Sequence, residues 1–264
     1  MTLDLADDVR EAIAGIAASD LLLVALDFDG TLSPLADEPM DARMLPAARD
    51  AVNAVVAAPD TIVAFVSGRS LVDLRVIAEH DDTSRILLAG SHGAEFWSPG
   101  EGVRSHGEDE TDVALRDAMR SHAEAATAHL DGVWIEPKTF GFGVHTRRAT
   151  AEAAAEAHRL ADEIVAAEAP HWRRRTGHNI VEFAFRHEGK DSAIAELRER
   201  VGATAVLFAG DDVTDEDALA SLGADDLGVR VGDGQTAAAV RVPDIAALAG
   251  LLTLLASERT RLRS

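Results

Sequence analysis

The sequence predicts an α/β protein: a mostly parallel sheet covered by helices on both faces, interrupted by a small inserted α+β unit. Short continuous apolar runs stop abruptly at polar turns, helix-like stretches alternate with those runs, and the middle of the chain keeps a different rhythm. Strands buried on both faces read as unbroken apolar runs, and the helices between them provide the crossovers that parallel strands need. The 264 residues suffice for about two folding units.

The first apolar run, LLLVAL at 21–26, ends at Asp27 and passes into the turn-forming Asp29-Gly30-Thr31. A helix-like stretch at 41–57 leads to TIVAFV at 61–66, which stops at Ser67-Gly68-Arg69. Another at 69–79 leads to RILLAG at 85–90, which stops at Ser91-His92-Gly93. Later a helix-like stretch at 190–200 precedes TAVLFAG at 204–210, which stops at Asp211-Asp212, with a short helix expected at 215–221. All four polar stops fall at the carboxyl ends of predicted strands, where open α/β sheets assemble their sites.

Between these halves lie a helical stretch at about 108–130, VWIEP at 133–137, the alternating GFGVHTR at 141–147, an Ala- and Glu-rich helix at 149–168, then HWRRR and NIVEFAF. Helix and two strands, twice over, predicts an α+β unit with one open sheet face, bordered by SPGEG at 98–102 and RHEG at 186–189. The expected division is core 1–103, insertion 104–185 and core 186–264. PDIAALAGLLTLLASE reads as a terminal helix, with the basic RTRLRS tail frayed.

A net charge of -21 argues against nucleic-acid or anionic-membrane partners, which require a basic stripe. The cluster HWRRRTGH at 171–178 is only local, and divides between a solvated strand edge and a substrate-facing role. No positive head precedes the apolar run, and that run is far shorter than the roughly 20 residues of a membrane span, so cytoplasmic residence is expected. With no cysteine in the chain, disulfides and thiolate chemistry are excluded.

The chemistry concentrates in LLLVALDFDGTL at 21–32. Two carboxylates spaced two apart after a buried strand allow Asp27 to face phosphorus while Asp29 reaches the leaving-group side. A carboxylate nucleophile splits hydrolysis into transfer and release, and one acid/base can serve both halves. Gly30 permits a tight loop, and Thr31 offers a hydroxyl or N–H to phosphate. Ser67 can bond a phosphoryl oxygen, with Gly68 permitting close approach, although a helix cap is the plainer role for that serine. Lys190 is one of only two lysines among 25 cationic residues, a compact charge suited to neutralising a nucleophile–phosphate pair. GDDVTDED at 210–217 offers Asp211, Asp212 and Asp215. Magnesium takes hard oxygens at about 2.1 Å; Asp27 and Asp211 can each give one, with the Asp29 carbonyl and water completing the set, while Asp212 and Asp215 stand behind. A helix cap is an equal reading of Asp215.

DFDGTL, VSGR, the position of Lys190 and GDDVTDED, in that order, resemble the four motifs of the haloacid-dehalogenase-like phosphatases. The resemblance implies that family's Rossmann-type core with an inserted cap, magnesium, Asp27 as nucleophile, Asp29 as acid/base, Ser67 and Lys190 on phosphate and Asp211 on the metal. AGSHGAE at 89–95, EPKTFGFGVHTR at 136–147, GHNIVEFAF at 177–185 and GDDVTDED are similar to segments of the trehalose 6-phosphate phosphatases. That resemblance implies that Glu136, Lys138 and Glu182 face a disaccharide, with Arg69, His92 and Gly93 at the core rim. Two carboxylates and an ammonium can read sugar hydroxyls; pairing among themselves is the plainer alternative.

Two positions depart from the pattern: Phe28 replaces a frequent tyrosine, and Asp191 stands after Lys190 where glycine is usual, either capping the next helix or weakening phosphate binding. Trp97, Trp134 and Trp172 read as core or hinge packing rather than sugar platforms, and His106, His122 and His129 as solvated. The function expected is magnesium-dependent hydrolysis of trehalose 6-phosphate through an aspartyl phosphate. The alternatives are a phosphatase for sucrose 6-phosphate or glucosylglycerate phosphate, or a non-catalytic sugar-phosphate-binding partner. The expected partner is a small sugar phosphate bound by a monomer; contact with trehalose-phosphate synthase has no support in the residues.

Overall fold

The computed structural model describes residues 7–105, 110–177 and 179–264. His106, the first two residues of the helix expected from 108, His178 and the first six residues of the chain lie outside the described residues. Contacts divide the chain into two units: the described residues up to Ser105 together with Glu188–Ser264, and the described part of His106–His187.

The larger unit runs α1 (Asp7–Ala17), β1 (Leu22–Leu26), α2 (Pro46–Ala57), β2 (Thr61–Val66), α3 (Leu71–Ile77), β3 (Leu87–Gly90), β4 (Glu95–Ser98) and β5 (Gly102–Ser105). The smaller unit holds α4 (Glu110–Thr127), β6 (Trp134–Lys138), β7 (Gly141–His145), α5 (Ala151–Glu168), β8 (Arg173–Gly177) and β9 (Ile180–Ala184). The larger unit then resumes with α6 (Lys190–Val201), β10 (Ala205–Gly210), α7 (Glu216–Ser221), β11 (Leu227–Val231), β12 (Val240–Val242) and α8 (Ile245–Leu262).

Its eight strands form one sheet in the order β12-β11-β10-β1-β2-β3-β4-β5, with every pair from β12 to β3 parallel and the β3-β4-β5 turn-back antiparallel. Every residue of β1 is buried, and alternate side chains serve opposite layers. Leu22, Val24 and Leu26 enter a core shared with α1, α2 and α8, whereas Leu23 and Ala25 enter one shared with α6 and α7. This two-sided burial is why the strands read as unbroken apolar runs. Phe28 is fully buried and meets Phe65 edge-on, with ring centroids 5.8 Å apart, so its ring packs behind the loop.

The chain order reverses at β1: β2 and β3 lie on one side, β10 to β12 on the other. Such a switch point opens a crevice at the carboxyl ends of the strands. Asp27 and Asp211 follow the two strands that flank it.

The smaller unit is an antiparallel sheet in the order β6-β7-β9-β8. Phe142, Val144, Val181 and Phe183 are buried on one face, leaving Glu136, Gly143 and Glu182 in register across the other. The basic segment forms β8, an edge strand, and Arg174 pairs with Asp162 of α5.

The terminal helix corrects one expectation. The RTRLRS tail does not fray: α8 continues to Leu262. Arg259 is fully buried, its guanidinium donating to the carbonyls of Ala17, Ser19, Pro59 and Asp60 and to the Thr61 hydroxyl. Of the tryptophans, Trp97 and Trp172 are buried, while Trp134 stacks flat on His145 with centroids 4.5 Å apart. No helix among the described residues is long and apolar enough to cross a membrane.

Candidate active site

Asp27 leaves the end of β1 with its side chain buried, and Lys190, the first residue of α6, donates to its Oδ1 at 2.6 Å. The same ammonium donates to Oδ1 of Asp215, also at 2.6 Å. Asp215 is wholly buried, and its other oxygen accepts the backbone N–H groups of Asp211 and Asp212 at 3.1 and 3.0 Å. The GDDVTDED loop is thus folded around Asp215. Oxygens of Asp27, Asp211 and Asp215 all lie within 4.8 Å of one another, so Asp215 joins the carboxylates that could hold a metal ion.

Close approach explains Gly30. At φ 79° its Cα faces the Asp211 carboxylate, and a Cβ would lie 2.0 Å from Asp211 Oδ2. Thr31 donates to Asp211 Oδ1 at 3.1 Å and lies 3.4 Å from Asp27 Oδ2, holding the two carboxylates in place. Asp212 caps the following turn, accepting from Val213 N at 2.7 Å, and is not in the cluster.

The charges explain the titration. Burial foremost pushes the Asp27 carboxyl well above its ordinary range; Lys190 opposes, while Asp215 and Asp211 push further. Asp211 is pushed up to about 6, by burial and then by repulsion from Asp215. For Lys190, burial favours the neutral amine, but attraction by Asp215 and Asp27 outweighs it and raises the pKa, so the ammonium persists. Three carboxylates against one ammonium leave the cluster short of positive charge. The donors are all carboxylate oxygens, a hard set that fits a divalent cation such as magnesium better than a thiophilic one.

Ser67, at the end of β2, is buried, and its Oγ accepts the N–H of Arg69 at 3.1 Å. The cap of α3 falls instead to Ser70, which accepts from Asp73 N. Gly68 makes room for His92, since a Cβ would lie 2.6 Å from the ring Nε2. Arg69 grips Asp29 through two bonds, Nε to Oδ2 at 2.6 Å and Nη2 to Oδ1 at 2.7 Å. Sequence reading placed Arg69 only at a rim; its pairing across 40 positions had no local signal. His92 is buried with φ 58°, and Gly93 abuts Ala193 of α6, where a Cβ would fall 2.7 Å from the alanine methyl. Asp191 does not cap α6. Ser192 does, bonding both Gly189 N–H and C=O at 2.9 Å, while Asp191 Oδ1 is buried without a hydrogen-bond partner among the described residues.

On the open face of the smaller unit, Lys138 Nζ bridges Glu136 Oε2 at 3.0 Å and Glu182 Oε1 at 3.2 Å across Gly143. His145 Nε2 lies 2.6 Å from Glu136 Oε2, a contact that sequence reading missed although the alternation in GFGVH puts His145 on that face. Burial opposes the Lys138 charge, but Glu182 and Glu136 raise its pKa to about 12. For Glu136 burial acts upward, yet the bond from His145 and the charge of Lys138 hold its carboxyl below the ordinary range. Glu136 and Lys138 therefore both stand ionised on this face, with Glu182 beside the ammonium.

Residues 25–240 match the family described as trehalose-phosphatase. An uncharacterised glycosyl hydrolase of Mycobacterium tuberculosis is 32% identical over 83% of this chain and 17% of its own length. A trehalose-phosphate phosphatase of Mycobacterium avium is 33% identical over 80% of this chain and 55% of its own. The chain therefore spans from about a sixth to little more than half of these relatives. Among solved structures, the C-terminal domain of Candida albicans trehalose-6-phosphate phosphatase superposes with a TM-score of 0.81 at 18% identity, covering 94% of this chain and 96% of that one. An Aspergillus fumigatus trehalose-6-phosphate phosphatase gives 0.68 at 23% identity, covering 96% and 98%.

Proposed function

This chain belongs to the trehalose-phosphatase family, and we propose that it is a magnesium-dependent phosphatase that hydrolyses trehalose 6-phosphate to trehalose and inorganic phosphate. The carrying observation is the cluster of buried Asp27 and Asp215 with half-buried Asp211, with Lys190 bonded to the first two, at the sheet's switch point. A cluster that only bound a sugar phosphate would have no need of three carboxylates repelling the ligand.

Magnesium held by Asp27 and Asp211, with Asp215 adjacent, would offset the repulsion between carboxylates and phosphate. Lys190 holds Asp27 Oδ1 at 2.6 Å, while Oδ2, with only the long 3.4 Å contact from the Thr31 hydroxyl, is left to attack phosphorus. As the Oδ2–P bond forms, the bond from phosphorus to the sugar 6-oxygen breaks, and Asp29 supplies the proton that oxygen needs. Asp29 then takes a proton from the water that attacks the aspartyl phosphate, releasing inorganic phosphate and restoring Asp27. Both Asp29 oxygens are engaged by Arg69, so its acid role requires one of those bonds to be exchanged for the leaving oxygen. Ser67, Thr31, Gly30, Gly68 and Lys190 are assigned to the transferred phosphate. Glu136, Lys138 and Glu182 are assigned to sugar hydroxyls, with His92 and Gly93 at the rim. The substrate would be met in the cytoplasm by a monomer.

Phosphate release from trehalose 6-phosphate tests the reading. Asp27→Asn is expected to lose about 10⁴-fold or more in kcat while retaining the wild-type circular dichroism spectrum. Near-normal turnover in that variant contradicts the covalent mechanism.

A further inference from the structure

Three consecutive residues after β3 hold a left-handed backbone: Ser91 at φ 48°, His92 at φ 58° and Gly93 at φ 101°. Two of them carry side chains, for which that region is unfavourable, so the turn persists only if its surroundings enforce it. The bonds that enforce it run to the phosphate-binding segment. Ser91 N–H donates to the Arg69 carbonyl at 2.6 Å, and His92 N–H to that of Ser67 at 2.9 Å. Ser67 N–H returns to Ala89 at 2.9 Å. Gly93 packs on Ala193, one turn into the helix that begins at Lys190.

One side chain closes this circuit. Glu95, the first residue of β4, accepts the Ser91 hydroxyl at 2.5 Å and the Leu71 N–H, at the start of α3, at 3.1 Å, both on Oε2. It thereby ties the strained turn to the far end of the 67–71 segment. Arg69, between those ends, grips Asp29.

We propose that Glu95 is a positioning residue: by holding Ser91 and Leu71 together it locks the left-handed turn that sets Ser67 toward phosphate and Arg69 toward Asp29. This rests on the phosphatase reading. Glu95 touches neither phosphate nor sugar in this scheme. Its loss is expected to let the turn relax and move Ser67 and Arg69, and small misplacements of such groups are costly to turnover.

The test compares wild type, Glu95→Ala, Glu95→Gln and Ser91→Ala in magnesium buffer, measuring inhibition by inorganic phosphate alongside kcat and KM, well below each variant's melting temperature. Glu95→Ala is expected to weaken phosphate inhibition about tenfold and lower kcat by about 10- to 100-fold. Glu95→Gln, whose amide oxygen can accept both bonds, should recover most of both. Should Glu95→Ala not fold, Ser91→Ala, which removes only one of the two bonds, is expected to weaken phosphate inhibition in the same direction by a few-fold. Wild-type phosphate inhibition and kcat in a folded Glu95→Ala, or in Ser91→Ala, overturns the inference and leaves the phosphatase reading standing. A wild-type chain that neither turns over substrate nor is inhibited by phosphate overturns both.

Discussion

Asp27, Asp211 and Asp215 are held together against their own repulsion, with Lys190 bonded to Asp27 and Asp215. Removing a carboxylate from such a set relieves strain in the metal-free protein and removes a ligand from the metal-bound one. Asp211→Asn is therefore expected to melt at or above the wild-type temperature in EDTA, and to lose most of the rise in melting temperature that magnesium gives the wild type. A magnesium-induced rise of wild-type size in Asp211→Asn counts against Asp211 as a ligand. Glu136 shows the opposite sign. Its carboxyl is held below the ordinary 4.5 by His145 and Lys138 against the pull of burial. A depressed carboxyl contributes stability that is present above its unfolded value and lost as pH falls through its folded one. The margin of wild type over Glu136→Gln, about 2–4 °C at pH 7, should be constant down to about pH 5 and close below pH 4.5. Thermal scans across that range decide it, and a margin that widens in acid contradicts the sign.

Among the elements, those with long apolar runs were legible: β1, β2, β3 and β10, with the helices between them, because two-sided burial leaves an unmistakable trace in the sequence. β11 and β12 were not, since LGVRV and VRV are short and each is broken by an arginine. The site followed the same division. Asp27, Lys190 and Asp211 each sit directly at the end or start of a legible element, so their convergence could be expected. The grip of Arg69 on Asp29 and the inward turn of Asp215 depend on side-chain directions within loops, which spacing does not reveal. Arg259 is the clearest failure of local reading. RTRLRS looks like a solvated tail because the acceptors for Arg259 come from residues near 17–19 and 59–61, some 200 positions away. This guanidinium joins α8 to the ends of α1 and α2. Arg259→Ala would strand several buried acceptors, at a cost of about 3–5 kcal/mol, or roughly 10 °C in melting temperature. Activity per folded molecule at 25 °C should be unchanged. A loss below about 1 kcal/mol shows that water satisfies those carbonyls.

Across the whole molecule, a charge of -21 offers no general attraction to an anionic substrate. On the proposed function, recognition of phosphate is therefore local and is assigned to the place where Lys190 and the carboxylate cluster meet at the switch point of the larger sheet. Recognition of the sugar is a separate matter, carried in this account by Glu136, Lys138 and Glu182 on the open sheet of the smaller unit. On that assignment chemistry and selectivity reside on different units, and the same core would dephosphorylate any sugar phosphate that the other surface admits. The direct test is phosphate release, with and without magnesium, from trehalose 6-phosphate, sucrose 6-phosphate, glucose 6-phosphate and glucosylglycerate phosphate. The account predicts magnesium-dependent release with kcat/KM for trehalose 6-phosphate at least about tenfold above the others; equal rates, or preference for another substrate, would contradict the sugar assignment, and no release from any would contradict the phosphatase itself.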